Sequence, residues 1–217
     1  MATIAIFGAN GAIGHRLVAE ALDRGHRVTA VVRDPATVPD EHERLTVTRG
    51  DVLDPACVSA VAEGRDVVVS AVGGRDGAGA QAVLRPAAQA LVAGLHALGP
   101  EAPRLIMVGG AGSLRTREGR PLWDAPDVPD EARRVMRAHG DALAYLRTVA
   151  GELRWTSVSP AAELAPGERT GEYRTAYDEL VADDAGVSRI STEDFAVAVV
   201  DEIEEGRHTG RRFTVGY

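Results

Sequence analysis

The segment Thr3-Ile4-Ala5-Ile6-Phe7-Gly8-Ala9-Asn10-Gly11-Ala12-Ile13-Gly14 constrains the fold of this chain more than any other. An apolar, β-compatible run enters three glycines, and a helical pattern from Ile13 to Arg24 follows without a linker. Strand, tight turn and helix in immediate succession are the first half of a βαβ unit. Such a unit requires a second parallel strand after the helix. Arg27–Val32 supplies it, and Gly25 fits the end of the intervening helix.

The alternation continues. Further strand-like runs fall at Leu45–Arg49, Asp66–Ser70, Arg104–Val108 and Arg154–Ser159. Helical patterns fall near Pro55–Ala62, at Ala80–Leu98 and at Asp130–Ala150. Asp54-Pro55 reads as a cap followed by the first helical residue, and Gly99-Pro100 stops the long helix. The expected architecture is α/β: a doubly wound parallel sheet of Rossmann type with helices on both faces. The stretch Gly109–Pro129, rich in glycine, proline and charge, reads as a surface loop over the site. Beyond Pro160 the alternation weakens. Ala165-Pro166-Gly167 is a turn, and Gly171–Ile190 reads as short strands or loop. Ser191-Thr192-Glu193-Asp194 then offers a cap for a helix to about Glu205, and Arg212–Val215 a last strand. One domain is expected over 1–217, with 160–190 forming a small elaboration on the substrate side.

Composition narrows the class. The 217 residues are 45% hydrophobic and 26% charged, and the formal net charge is −8. That balance argues against a nucleic-acid or anionic-membrane surface. No apolar run is long enough to span a bilayer, and the N-terminus reads straight into a strand rather than a secretory leader, so a cytoplasmic location is expected. Cys57 is the only cysteine. It cannot form an internal disulfide or build a zinc site, and it reads as a half-buried structural thiol. Apolar helix faces allow a homodimer.

The three glycines at Gly8, Gly11 and Gly14 have a clear chemical use. One makes the tight turn, the next lets backbone approach a diphosphate, and the last lets helix pack on strand. The helix N-terminus offers free N–H groups and a partial positive charge to phosphate. A dinucleotide is therefore the expected ligand. The second strand ends Val31-Val32-Arg33-Asp34, where the adenosine ribose would be read. An acidic residue there favours NAD, and an arginine, pairing bidentately with a 2′-phosphate, favours NADP. Arg33 comes first, and NADP(H) is preferred. Asp51, after the third strand, could accept from the adenine amino group or merely cap the following turn. Ala71, Val72 and Gly73 follow the fourth strand and are small enough for backbone to lie against the cofactor.

Together these residues resemble an atypical short-chain dehydrogenase/reductase of the NAD(P)H-binding, NmrA-like kind. The resemblance rests on GANGxIG, VVRDP, GDVLD, a glycine-rich fourth-strand end, VGGAGSL after the fifth strand and WTxVSPA after the sixth. Residues 188–196 and 212–217 fit the same pattern. More distantly the chain is similar to biliverdin-reductase and flavin-reductase proteins. The resemblance implies strand order 3-2-1-4-5-6-7 and adds Asn10, Ala12, Ile13 and Val52 to the cofactor contacts. It also implies that Gly109, Gly110, Pro160 and Ala161 border the nicotinamide.

Ordinary members of that superfamily use Tyr-x-x-x-Lys, in which lysine lowers the tyrosine pKa for acid–base work. This chain contains no lysine; all 24 of its basic residues are arginine. The helix in the corresponding place offers His139, either a proton donor near neutral pH or a surface histidine. Ser113 could hold substrate. Arg115, Arg117 and Arg120 could draw an acidic substrate or simply be solvated, and Tyr173, Tyr177 and Trp123 could wall the pocket. The expectation is an NAD(P)H-dependent oxidoreductase that passes hydride to a small electron-poor acceptor: a flavin, a quinone or a conjugated carbonyl. The alternative is an NADP-binding redox sensor without turnover. A sugar-nucleotide epimerase is disfavoured, because those enzymes also use the tyrosine–lysine pair.

Overall fold

The computed structural model describes residues 1–37, 42–74, 76–149, 151 and 153–217. Ala150, the last residue of one expected helix, lies outside them. The strands are β1 (Thr3–Phe7), β2 (Arg27–Val32), β3 (Leu45–Arg49), β4 (Val67–Ser70), β5 (Arg104–Val108), β6 (Trp155–Ser159), β7 (Glu163–Ala165), β8 (Arg174–Ala176), β9 (Arg189–Ser191) and β10 (Arg211–Gly216). The helices are α1 (Ala12–Asp23), α2 (Pro55–Ala62), α3 (Gly77–His96), α4 (Asp130–Val149) and α5 (Thr192–Glu205).

The main sheet runs β3-β2-β1-β4-β5-β6-β10-β8. Its first seven strands are parallel and follow the expected order, β10 being the seventh. An eighth, from the stretch read as short strands or loop, is β8, which adds antiparallel to β10 at the edge. β7 and β9 pair separately, within the segment that leaves β6 and returns to α5.

Alternation along the strands sends side chains to two apolar layers. Ile4, Ile6, Val28, Ala30, Val69 and Val158 face α1 and α5. Ala5, Phe7, Val31, Val68, Leu105 and Met107 face α2, α3 and α4. Burial on both faces is what a parallel sheet requires.

Most element ends obey local chemistry. Asp54 caps α2 by accepting from Ala56 N at 2.9 Å, with Pro55 in the first turn. Asp76 accepts from Gly79 N at 2.7 Å and starts α3 at Gly77, three residues before the apolar pattern suggested. Ser191 caps α5, and Gly206, at φ 66°, ends it. Asp66 is not part of β4. Its carboxylate accepts from Thr3 N at 2.7 Å and ties the turn to β1. Among the described residues no helix is long and apolar enough to cross a membrane.

Candidate dinucleotide-binding site

The carboxyl ends of β1, β2, β3, β4, β5 and β6 share one edge of the sheet, the edge at which open α/β folds bind ligands. The glycine turn sits at its centre. Gly8 has φ 78°, and a Cβ there would lie 2.9 Å from the Ala71 carbonyl carbon, so β1 and β4 approach too closely for a side chain. Gly14 plays the packing role: a Cβ would lie 2.0 Å from Gly8 O. Gly11 caps α1, and its N–H donates to Gly8 O at 3.0 Å.

The N-terminus of α1 differs from every other helix start. α2, α3 and α5 have side-chain caps, and α4 carries Asp130 and Glu131 in its first turn. α1 has neither a side-chain cap nor an acidic residue in its first turn. The N–H groups of Ala12, Ile13 and Gly14 therefore keep the orphan donors and the positive dipole end for an anion. Asn10 and Ala12 are exposed beside it, and Ile13 is half-buried. These residues fit a dinucleotide diphosphate.

At the adenosine end, Arg33 is exposed and has no ion pair or hydrogen bond among the described residues. Asp34 turns back on its own chain and accepts from Ala36 N at 3.1 Å. Asp51 likewise closes a turn, accepting from Leu53 N at 2.9 Å, while Val52 is buried behind it. Cys57 is half-buried and free; a Cβ at Gly50 would lie 2.9 Å from its sulfur. Along β4, Ala71 and Val72 are half-buried, and Gly73 has open space where a side chain would project.

At the nicotinamide end the structure joins three segments. The loop after β5 docks on α4 through glycines. Gly110 lies under His139, with a hypothetical Cβ 2.9 Å from His139 Cγ. Gly112 lies under Met136, and Trp123 covers Gly140. Gly109 borders β6, where Pro160 and Ala161 follow buried. His139 is thus half-buried against Gly110 and not a surface histidine. Burial drives its pKa down to about 4, so it is a neutral imidazole near pH 7 and cannot donate from a charged ring. Ser113 is already engaged, since Arg212 Nη1 donates to its Oγ at 2.6 Å. Arg212 is buried and also pairs with Asp178, at 2.9 Å from Nε to Oδ1.

The other candidates, Trp123 apart, are placed away from this end. Tyr173 donates to Asp201 at 2.5 Å on the α5 layer, and Tyr177 lies edge-on to His208. Neither tyrosine walls the groove. Arg115 pairs with Glu179 and Arg120 with Glu118, while Arg117 donates to the Asp183 and Asp184 carbonyls. Trp123 lies beneath the Arg137 guanidinium, 4.8 Å from ring centroid to Cζ. A depression of about 530 Å³ lies between Tyr173, Asp201 and His208, and one of about 500 Å³ at the amino-terminal sheet edge. Neither touches the strand ends that bind ligand in such folds.

Three buried hydroxyls, those of Ser157, Ser159 and Thr214, also lie behind Gly109. Their signal was visible: polar residues at alternate positions in a strand that a parallel sheet buries on both faces.

The chain matches the model of the NAD(P)H-binding family over residues 8–203, and it belongs to that family. The likeness is that of the atypical, NmrA-like dehydrogenase/reductases. A Burkholderia pseudomallei structure named "Putative exported protein" is 43% identical, with TM-score 0.86, and all of both chains is covered. A Bacteroides thetaiotaomicron structure named a "putative epimerase" is 38% identical, with TM-score 0.90 over 100% of this chain and 97% of that one. A Streptococcus pneumoniae structure named a "putative NADH-flavin reductase" is 32% identical, with TM-score 0.86 over 100% and 99%. Three names on one fold mean that the frame fixes nucleotide binding and leaves the reaction to the residues of the site.

Proposed function

We propose that this chain is an NADP(H)-dependent reductase acting on a small electron-poor acceptor: a quinone, a flavin or a conjugated carbonyl. The observation that carries the reading is an open, uncapped α1 N-terminus whose groove ends at a neutral, half-buried His139 in a chain without lysine. Bound NADPH supplies hydride from C4 of its nicotinamide. Gly109, Gly110, Pro160 and Ala161 would shape the bed for that ring, and the loop docked on α4 would exclude water from it. Acceptors of this kind take their proton from solvent, so the site needs no Tyr-x-x-x-Lys pair. Residues 160–190 would stand on the acceptor side of the groove.

Arg33 supports NADP over NAD, because its guanidinium is uncommitted at the ribose-reading position while Asp34 is turned onto Ala36 N. The Streptococcus relative's name supports the flavin class of acceptor; that name specifies NADH and leaves the choice of cofactor here to Arg33. The Bacteroides relative's name points to epimerisation, for which this site lacks the tyrosine–lysine pair. A redox sensor without turnover is the second reading, favoured by the same neutral His139.

The test mixes purified protein with NADPH and a panel of flavins, quinones and enals, following nicotinamide absorbance. Turnover with at least one acceptor is expected. Tight NADPH binding with no turnover on any of them would replace the reductase by the sensor.

A further inference from the structure

Ser157 and Ser159 occupy alternate positions on β6, and Thr214 on β10 is the register partner of Ser159. Their exposures are 1%, 1% and 0%. None of the three hydroxyl oxygens has a hydrogen-bond partner among the described residues. One unsatisfied buried hydroxyl is unfavourable, and three on adjacent strands form a cluster that packing alone does not explain.

The cluster lies beside the nicotinamide end of the groove. A Cβ at Gly109 would come within 2.9 Å of Ser157 Oγ and 3.3 Å of Ser159 Oγ. Gly109 is half-buried while the hydroxyls are enclosed, so a residue with no side chain is the thin wall between them and the groove. His139 covers the next residue, Gly110. The charged neighbour Arg212, register partner of Ser157, is occupied by Ser113 and Asp178. Its bonds go to those two groups and leave the three hydroxyls out.

We propose that Ser157, Ser159 and Thr214 form the polar subsite of the acceptor pocket. They hold ordered water against Gly109 and through it donate a hydrogen bond to the oxygen of a quinone or conjugated carbonyl as that acceptor is reduced. The inference rests on the reductase reading above and narrows its acceptor class. A hydroxyl donates and accepts at once, so the cluster can pass a proton without changing its own charge. The arriving hydride brings the electron pair of the new bond, C–H on a conjugated carbonyl or O–H on a quinone, and leaves the enolate oxygen or the quinone's other oxygen negative. The acceptor oxygen takes a proton from the bound water, that water takes one from the hydroxyl chain, and bulk water replaces it. The role is one of positioning and proton supply.

The experiment compares Thr214→Val, which keeps the shape and loses the hydroxyl, with Thr214→Ser, which keeps the hydroxyl. It adds the double variant Ser157→Ala/Ser159→Ala. Menadione is the probe, with kcat under saturating NADPH, menadione binding by quenching of protein fluorescence, and Tm without ligand. Loss of one donor near developing negative charge lowers kcat by about 100-fold when the contact is direct; through water we expect about tenfold for Thr214→Val and more for the double variant. NADPH affinity should not change, menadione should bind more weakly, and Thr214→Ser should keep wild-type kcat. Hydroxyls that serve no ligand behave differently: their apolar replacements raise Tm and leave menadione binding and kcat as in wild type, and that pattern overturns the proposal. A wild-type protein that reduces no quinone, no flavin and no enal sinks the reductase reading. The subsite then stands if menadione binding weakens in Thr214→Val and persists in Thr214→Ser, and falls if all bind alike. Should the double variant fail to fold, the two Thr214 variants decide alone.

Discussion

At the end of the groove proposed for the diphosphate, between β1 and α1, the site offers backbone. Gly8 turns the chain, Gly14 lets the helix close on the strand, and the first turn of α1 keeps its N–H groups open. At the proposed nicotinamide end, between β5, β6 and α4, the candidate groups are side chains: the half-buried His139 against Gly110, and the enclosed hydroxyls of Ser157 and Ser159 behind Gly109. The first end depends on local sequence, since its parts lie within seven residues of one another. The second draws on three elements far apart in the chain. Backbone recognition tolerates few residue types, whereas an assembled polar pocket can be rebuilt from other strands.

Substituting Gly14 should break the comparison most severely. Gly14→Ala places a Cβ 2.0 Å from Gly8 O, an overlap with backbone that cannot move cheaply. We expect a loss of about 3 kcal/mol or more in stability and no measurable NADPH binding, read by denaturant titration and cofactor fluorescence. A variant with wild-type binding would mean that the turn is not the diphosphate site. Arg33→Ala should act on one ligand alone. Loss of a charge-assisted bidentate pair costs about 1.5–3 kcal/mol, so NADPH affinity should fall roughly 10- to 100-fold while NADH affinity stays. Equal loss for both cofactors, or none for either, would remove the case for NADP preference.

Gly109→Ala should separate the two ends. Its Cβ would press on Ser157 Oγ at 2.9 Å and thicken the wall over the hydroxyls. Turnover should drop about tenfold with NADPH affinity retained, because one positioning contact is displaced while the diphosphate end is untouched. A parallel loss of cofactor affinity would show that the two ends are not independent.

The smallest effect concerns pH. His139 has a folded pKa of about 4, below its unfolded value near 6.5, so the unfolded chain binds the extra proton between them. Its contribution to stability is complete above about pH 6.5 and is lost as pH falls toward 4. The ring keeps some accessible surface, so the loss should be of the order of 1–2 kcal/mol. Carboxylates lose stability lower down. Burial raises Glu193, but the Gly167 N–H and Arg16 outweigh it and hold it at about 2. Denaturant titrations of wild type and His139→Gln between pH 7 and 4.5 should therefore diverge, the variant giving the flatter curve. Identical curves would place His139 in water.

Most of the fold could be read in advance, because the features that specify it are local. Apolar runs mark β1 to β6, Asp54-Pro55 starts α2, and Gly25 ends α1 at φ 83°. The partner of β8 was not legible: its three residues pair with β10 because β10 presents a free edge, and no pattern in Arg174–Ala176 announces that. The glycine turn proposed for the diphosphate was legible for the same reason as the fold. Ser113 was a reasonable substrate contact until Arg212, 99 residues away, was found bonded to it. Tyr173 and Tyr177 have the right chemistry for a pocket wall and the wrong layer.

By itself the sequence determined the βαβ frame, the glycine turn, an arginine at the end of β2 and the lack of a lysine, because each depends on residue type and short spacing. Only the tertiary structure decided that His139 is half-buried and neutral and that Ser113 is taken. The three hydroxyls share one enclosed space for the same reason. Desolvation and hydrogen-bond partnership depend on which distant segments meet, and no local spacing encodes that.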